Sequence, residues 1–337
     1  MARKIDRNAG DDFLETPVLL VVFNRPEHTR RVIDAIAKAK PKVLLIAADG
    51  PRTASEHALC DETRKVALAC VTWECNVLTA FSDENLGCGI RMYTAIDWGF
   101  SRFEHLIILE DDCVPAPTFF SFCAQLLDHY CDDERVMHIS GNHFHDIADS
   151  SKHAGADYYF SKYTHAWGWA SWRRAWRHFD WRLQSWPAMR ESGLLELWCR
   201  DEFERLLWAN IFDGVHGGAS DIWDYQWNYC CWVNNGLAIM PRTNLVSNIG
   251  YGESATHTKH KNRFLDVATD DIFVLRHPVG MVRNVAIEAM TFNENYGGAE
   301  LRREAARASS VRAKVRALCP RWLVSVWRVV KTNWSQK

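Results

Sequence analysis

The sequence predicts an α/β fold, in which a mixed, mostly parallel β-sheet is flanked by helices. Two observations lead to this prediction. Between residue 16 and about residue 150, short apolar runs alternate with segments of helical periodicity. Each apolar run ends in polar residues or glycine, as strands do where they meet a loop. With 337 residues, of which 47% are hydrophobic, the chain can also bury a full core.

The first βα unit begins with an unbroken apolar run at residues 18–23. Such a run is typical of a strand that is buried on both faces of a parallel sheet. Asn24 and Arg25 follow it, and Pro26 then stands where the first turn of a helix favours proline. A strand followed by a helix is therefore predicted, with two polar side chains between them.

Two further strands repeat this pattern. Residues 43–48 form a strand that stops at Asp49, and residues 76–81 form one that leads to a loop with Asn85 and Gly87. Asp49 can accept a hydrogen bond from a nucleotide base or a ribose hydroxyl, or it can cap its own turn. Because ligands bind at the carboxyl ends of strands in open α/β sheets, these loops are expected to meet at one site.

Three consecutive acids, Glu110, Asp111 and Asp112, follow the fourth predicted strand at residues 106–109. Carboxylates that are buried without a partner destabilise a protein, and a divalent cation offsets that cost. Their hard oxygen atoms suit Mn²⁺ or Mg²⁺, which also bind phosphate oxygens. A solvated turn is the alternative. The position at a fourth strand end favours a metal site that holds a diphosphate, and Arg25 is then placed to pair with phosphate or with these acids.

The second half of the chain is rich in tryptophan, because eleven of the sixteen tryptophans lie between residues 167 and 232. This composition suggests a recognition region, since sugars stack their C–H faces on aromatic rings. Asp224 follows Trp223 within this region and is the candidate general base, which would accept the proton of an attacking hydroxyl. The alternative is an acid at a helix N-terminus beside packed rings.

The sequence disfavours several other kinds of function and site. A net charge of −2 gives no general attraction to nucleic acid, and no glycine-rich dinucleotide or ATP loop follows any predicted strand. The eleven cysteines are odd in number and lack CxxC pairs, so reduced thiols are expected. His143, His145, His257 and His260 lack a recognisable zinc spacing and are interpreted as polar loop residues.

Five motifs, taken in order, resemble those of the N-acetylglucosaminyltransferase I family and its bacterial relatives, which have the GT-A glycosyltransferase fold. The resemblance covers residues 17 to about 260. The motifs are the first strand with Arg25, Ala48-Asp49-Gly50, the acidic triplet with Ala116-Pro117-Thr118-Phe119-Phe120, Gly168-Trp169, and Trp223-Asp224. Tyr225 stands where the family has a second acid, and Ala170-Ser171 where it has Met-Leu, so the acceptor or the sugar is expected to differ.

The resemblance implies inverting transfer of a sugar from a nucleoside diphosphate, most simply UDP, to a hydroxyl of a glycan or of a lipid-linked acceptor. It implies that Asp112 binds Mn²⁺ or Mg²⁺ and that Asp224 is the catalytic base. The residues expected to contact the nucleotide sugar are Phe23, Asn24, Arg25, Asp49, Asn85, Gly87, Arg91, Glu110 and Asp111. Those expected to contact the acceptor or the donor sugar are Trp167, Gly168, Trp169, Trp223 and His257.

Four regions are predicted. An N-terminal extension covers residues 1–15, a nucleotide-sugar-binding half 16–150, an acceptor-binding and catalytic half of the same domain 151–299, and a basic amphipathic helical tail 300–337. The tail is expected to contact an anionic membrane, or else to pack on the domain. The lack of a signal peptide or membrane anchor in the first fifteen residues fits a cytoplasmic bacterial enzyme, peripheral on the inner face of the membrane.

Two other classes of function share some of these features. A sugar-nucleotide nucleotidyltransferase also places acids at strand ends, although it usually carries a glycine-rich loop with lysine after its first strand. A non-catalytic carbohydrate- or nucleotide-binding module would have the same aromatic residues and no turnover. Release of nucleoside diphosphate separates the predicted transferase from both.

Overall fold

The computed structural model describes residues 3–4, 13–145, 155–218, 222–251 and 264–318, with side chains described between residues 13 and 308. The strands are β1 (Arg3–Lys4), β2 (Val18–Val22), β3 (Val43–Ala48), β4 (Asn76–Phe81), β5 (His105–Glu110), β6 (Cys113–Pro115), β7 (Val136–Ser140), β8 (Tyr158–Ser161), β9 (Trp169–Trp172), β10 (Leu237–Pro241), β11 (Val246–Asn248) and β12 (Val274–Leu275). The helices are α1 (Pro26–Ile36), α2 (His57–Ala69), α3 (Cys88–Phe100), α4 (Phe119–His129), α5 (Arg173–Trp176), α6 (Trp186–Glu191), α7 (Leu194–Trp198), α8 (Glu202–His216), α9 (Asp224–Val233), α10 (Val285–Asn295) and α11 (Gly298–Leu318).

An eight-stranded sheet organises the fold, in the order β4-β3-β2-β5-β9-β7-β10-β8. Strands β4, β3, β2 and β5 run parallel, and so do β7 and β10. Strand β9 is antiparallel to both of its neighbours, and the edge strand β8 is antiparallel to β10. The predicted mixed, mostly parallel α/β fold is therefore confirmed, and four predicted strand ends lie along one edge of the sheet.

The central strands are apolar throughout because both faces of the sheet are covered. Val18, Leu20 and Val22 belong to the core on one side, together with residues of α1, α2 and α4. Leu19 and Val21 belong to the core on the other side, with residues of α3 and of helices α5 to α9. Side chains alternate between the faces of a strand, so a strand between two helical layers needs apolar residues at every position.

The tryptophan-rich half forms a core and only a small part of the cleft wall. Nine of the eleven tryptophans between residues 167 and 232 are buried, and Trp208, Trp227 and Trp232 have no exposed surface. Trp167 and Trp181 are partly exposed. The interpretation of this region as a recognition surface is therefore wrong for most of its rings. Large aromatic rings bury much apolar area, and these rings fill the layer between α5 to α9 and the sheet.

The start of the basic tail packs on the body of the protein. Helix α11 continues to Leu318, and Arg302 forms an ion pair with Asp201 at 2.6 Å while its guanidinium lies over the Phe292 ring. Residues 319–337, which include Trp322, lie outside the described residues. None of the described helices is both long and apolar enough to cross a bilayer. The ten described cysteines are free thiols, as expected.

Candidate active site

A cleft of about 490 Å³ opens at the carboxyl edge of the four parallel strands. It is bounded by the ends of β2, β3 and β5, by the loop before α3, and by the first turn of α9. Twelve of the predicted site residues line it: Phe23, Arg25, Asp49, Asn85, Gly87, Arg91, Glu110, Asp111, Asp112, Trp167, Trp223 and Asp224. The strand series thus brings together side chains that lie up to about two hundred residues apart in sequence, as expected for this edge of an α/β sheet.

The acidic triplet is tied to the end of β2. The backbone N–H of Phe23 donates to Asp111 Oδ2 at 3.1 Å. Arg25 Nη1 lies 2.9 Å from Asp112 Oδ2 and 3.5 Å from Asp111 Oδ1, and its side chain is only 11% exposed. Of the two partners that the sequence left open for Arg25, phosphate or the triplet, the structure shows the triplet. Strands β2 and β5 are adjacent, so their carboxyl ends necessarily place these groups side by side.

Two carboxyl groups of the cleft, those of Glu110 and Asp111, have raised pKa values. Burial raises the pKa of Glu110 well above its usual value, and the charges of Asp112, Asp111 and Asp224 raise it further. Burial and the adjacent Asp112 raise the pKa of Asp111 to about 7, although Arg25 and the Phe23 N–H act in the opposite direction. Like charges that cannot be solvated favour the neutral form. A cation brought into this cleft would therefore be stabilised.

Asp112 is positioned by residues from the other half of the sequence. Asn248 Nδ2 donates to Asp112 Oδ1 at 3.3 Å, and the Ile249 N–H donates to the Asp112 carbonyl oxygen at 2.8 Å. A Cβ atom added at Gly250 would lie 1.9 Å from Asp112 Oδ2, so only glycine fits beside this carboxylate. The segment that follows β11 therefore forms one wall of the cleft.

The Asp49 carboxylate is hydrogen-bonded to the neighbouring loop. Its carboxylate accepts hydrogen bonds from the N–H groups of Gly50 at 3.0 Å and Leu86 at 2.9 Å, and from Asn85 Nδ2 at 3.0 Å. Burial raises its pKa, and these backbone bonds lower it in part. Asp49 therefore joins the end of β3 to the loop before α3, where Gly87 adopts a left-handed conformation. The capping role left open by the sequence is the one that the structure displays.

Replacing Gly50 by Ala is expected to lower the free energy of unfolding by about 1–3 kcal/mol, because its Cβ would overpack a backbone contact. That atom would lie 2.5 Å from the Glu84 carbonyl carbon. Urea unfolding measures the change. Gly214→Ala is the matched control, since it lies within α8 with nothing within 4 Å of the added Cβ. The control is expected to be neutral or to stabilise by about 0.5–1 kcal/mol. Equal stability of both variants and the parent would contradict the tight packing at Gly50.

The cleft contains two further arginines. Arg91 on α3 is buried and donates from Nη2 to the Ala80 carbonyl oxygen at 2.8 Å, and burial lowers its pKa. Arg52 also lines the cleft and lies over the Phe23 ring, 5.1 Å from its centroid. Asn24 is not among the residues that line the cleft, and its amide donates to Glu56 Oε1 at 3.1 Å. Its contact with a nucleotide stays a prediction.

Asp224 lines the same cleft as the triplet but belongs to a different element. It is the first residue of α9, and its Oδ1 accepts the N–H of Tyr225 at 3.0 Å. Trp223 and Tyr225 also line the cleft. The charge of Asp224 contributes to the raised pKa of Glu110.

Two predicted sugar contacts are core residues instead. Trp169 is 1% exposed, stacks on Trp223 with ring centroids 5.5 Å apart, and does not line the cleft. Gly168 has a φ of +65°, and a Cβ there would lie 2.7 Å from Val246 and 3.2 Å from Leu109. The close approach that Gly168 permits is to these two side chains. Both residues stand in or beside β9, whose burial on both faces the sequence alone did not reveal.

His143 and His145 lie in the loop that follows β7, as predicted for polar loop residues, and they are buried, at 4% and 7% exposed. His145 Nε2 lies 2.9 Å from Thr291 Oγ1, and burial together with the neighbouring histidines lowers the pKa of His165 well below its usual value. His257 and His260 lie outside the described residues. Among the residues that the structure describes, no group of three or more His, Cys, Asp or Glu side chains is arranged to hold a metal ion by itself.

Several residues of the cleft were not predicted. They are Val21, Val22, Arg52, Cys88, Met92, Ile222, Tyr225, Asn248, Gly250 and Leu265. Arg52 and Cys88 flank predicted loops and are detectable from proximity in sequence to Asp49 and Gly87. Asn248 and Gly250 lie within residues 244–257, where the resemblance to the N-acetylglucosaminyltransferase I family implies a loop over the donor. Nothing local in the sequence indicates that Leu265 returns to this edge.

Comparison with known proteins gives little further information. No family model matches the chain, and no curated protein matches it. Among solved structures, it is similar to a UDP-glucose pyrophosphorylase complexed with UDP-glucose, with a TM-score of 0.25 and 12% identity, over 43% of this chain and 63% of that one. The chain thus spans less than two thirds of that enzyme. A likeness at this TM-score carries no information about activity.

Proposed function

We propose that this protein is an inverting glycosyltransferase, which moves a sugar from a nucleoside diphosphate to a hydroxyl group. The observation that carries the proposal is the arrangement of carboxylates across one cleft. Glu110, Asp111 and Asp112 line it from the end of β5, and Asp224 lines it from the first turn of α9. A transferase of this kind needs a place for a departing diphosphate and, on the opposite side of the reacting carbon, a group that accepts a proton.

The order of the strands suggests how the donor lies. Asp49, at the end of β3, and Arg91, on α3, border the part of the cleft that we propose to hold the nucleoside, beside Phe23. Arg25 lies between that part and the triplet and suits a phosphate oxygen. The sugar then extends toward α9, where Trp223 offers an apolar edge. In this arrangement residues 16–150 hold the nucleotide, and residues 151–299 supply the base and hold the acceptor.

The donor set of the cleft fits a divalent cation, Mn²⁺ or Mg²⁺. Glu110, Asp111, Asp112 and Asp224 line one cleft, and Arg25 contacts two of them, Asp111 and Asp112. A bound cation would stabilise the ionised forms of Glu110 and Asp111, which burial and mutual repulsion disfavour. Asp112 is the residue that we propose to hold the ion, with phosphate oxygens and water completing the shell, since these ions often bind through one or two carboxylates. A bound ion supplies charge neutralisation for the diphosphate that leaves.

Asp224 is the residue that we propose as the general base. The oxygen of the acceptor hydroxyl forms a bond to the anomeric carbon as the bond from that carbon to the diphosphate breaks, and the hydroxyl proton goes to the Asp224 carboxylate. Its place in the first turn of α9 supports this role, because helix N-termini favour negative charge. The acceptor is proposed to be a glycan or a lipid-linked saccharide.

A panel of sugar nucleotides tests the proposal most directly. The full-length protein is incubated with each donor and Mn²⁺, and nucleoside diphosphate release is measured with and without a mixture of saccharide acceptors. We expect acceptor-stimulated release of UDP from at least one UDP sugar. Nucleoside triphosphate formation with pyrophosphate would instead identify a nucleotidyltransferase, and saturable binding without any release would identify a binding module.

A further inference from the structure

An exposed apolar loop projects from the edge of the sheet far from the cleft residues. This valine loop covers residues 276–285. Val279 is fully exposed, at 106%, Val282 is 79% exposed and Val285 is 44% exposed. Branched aliphatic residues at this exposure are unfavourable in water, and three of them lie within seven residues. The loop therefore has a surface that an apolar environment would stabilise.

The backbone of the valine loop is held at both ends. The N–H of Asp157 donates to the Arg276 carbonyl oxygen at 2.9 Å, and the N–H of Asn284 donates to the Phe160 carbonyl oxygen at 2.8 Å. Both partners belong to or adjoin β8, the edge strand of the sheet. The loop is thus a fixed protrusion, and its exposed valines are not displaced core residues.

Basic side chains surround the base of the loop. Arg242 and Arg276 share one carboxylate, that of the buried Asp157, at 2.9 and 3.0 Å, and remain 41% and 50% exposed. No acid occurs between residues 272 and 287. Within the loop, Arg283 pairs with Glu288 at 2.7 Å. The excess positive charge of this surface therefore comes from Arg242 and Arg276, which share a single carboxylate.

A second exposed aliphatic residue lies beside the loop. Arg283 Nη2 donates to the Trp198 carbonyl oxygen at 3.2 Å, and its guanidinium lies 4.7 Å from the centroid of that ring. Leu197, the preceding residue on α7, is 75% exposed. Helix α11 begins nearby, because Arg302 pairs with Asp201 at 2.6 Å. Apolar and basic groups are therefore combined on one surface.

We propose that the valine loop and its basic surroundings bind the surface of an anionic lipid bilayer. Small aliphatic side chains on a protrusion can enter the acyl boundary, while arginines around them contact lipid phosphates. A bilayer suits this surface better than a second copy of this chain does. Docking a protrusion on another protein requires a matching groove, whereas insertion into a bilayer does not. This surface lies beyond the proposed transfer reaction and does not depend on it.

Co-sedimentation of the full-length protein with vesicles tests this surface. We expect it to bind phosphatidylcholine vesicles that contain phosphatidylglycerol, to bind vesicles of phosphatidylcholine alone weakly, and to dissociate as salt is raised. The double variant V279D/V282D is expected to bind the anionic vesicles at least about tenfold more weakly, because it places charge where apolar contact is needed.

Leu68→Asp is the matched control, because Leu68 is 44% exposed on α2, away from the loop. It is expected to bind vesicles as the parent does, and all variants are expected to unfold at the same temperature. Binding by V279D/V282D at the parent level would overturn the proposal and leave the C-terminal tail as the membrane contact. Failure of the parent to bind, with self-association that V279D/V282D abolishes, would overturn it in favour of a contact between copies. Neither result depends on sugar transfer.

Discussion

Replacing Asp224 by Asn is expected to slow turnover by about 10²–10⁴-fold, the usual contribution of a general base. Asparagine keeps the size of the side chain and can still accept the N–H of Tyr225, but it cannot take a proton from the acceptor. Binding of UDP is expected to stay within about twofold of the parent, because the nucleotide is proposed to lie toward β3 and β4. Steady-state release of UDP and calorimetric titration with UDP measure the two effects separately.

The control for Asp224 is Glu202→Gln. Glu202 is also an acid in the first helical turn, on α8, and it is exposed and does not line the cleft. Its turnover is expected to equal that of the parent. If Asp224→Asn retains near-normal turnover, Asp224 is not the base. If the variant loses turnover and UDP binding together, Asp224 maintains the structure of the cleft and is not the base.

Replacing Asp112 by Asn is expected to remove the Mn²⁺-dependent part of UDP binding, a loss of at least about 100-fold in affinity. The reason is the charge of the site, since Asp112 has a carboxylate that faces the cleft and contacts Arg25. Asparagine keeps one acceptor for Arg25 but offers a cation no formal charge. Titration of UDP with and without Mn²⁺ measures the difference for the parent and the variant.

Asp61→Asn is the control for this experiment, because Asp61 is an exposed acid on α2 outside the cleft. Its binding of UDP is expected to depend on Mn²⁺ as in the parent. Unchanged Mn²⁺-dependent binding in Asp112→Asn would refute the metal role of this residue. Thermal unfolding of both variants separates a local loss of binding from a general loss of structure.

The strand-end residues show how far local sequence reasoning extends. The runs that form β2, β3 and β5 are apolar at nearly every position, which predicted buried parallel strands. Parallel strands necessarily share an edge, so Arg25, Asp49 and the acidic triplet were expected together. The structure brings all of them to the cleft. The roles of these residues in transfer remain predictions, since the geometry gives positions and the experiments above test the chemistry.

Trp167 and Trp169 show where that reasoning fails. They are two residues apart, yet Trp167 lines the cleft and Trp169 is buried in the core. A ring that stacks on sugar and a ring that packs in a core have the same apolar composition. Which of these roles a tryptophan takes depends on the elements that cover it. For Trp169 these include α9, which is distant in sequence.

The sequence by itself determined the βα series of this protein and the edge at which its polar residues gather, because periodicity and strand ends are local properties. Only the tertiary structure decided which of these residues already form hydrogen bonds or close contacts within the protein. Asp49 is bound by the loop before α3, Asn24 by Glu56, and Gly250 touches Asp112. The exposure of the valine loop was decided in the same way. Burial and pairing are set by packing between distant segments, so no short stretch of residues specifies them.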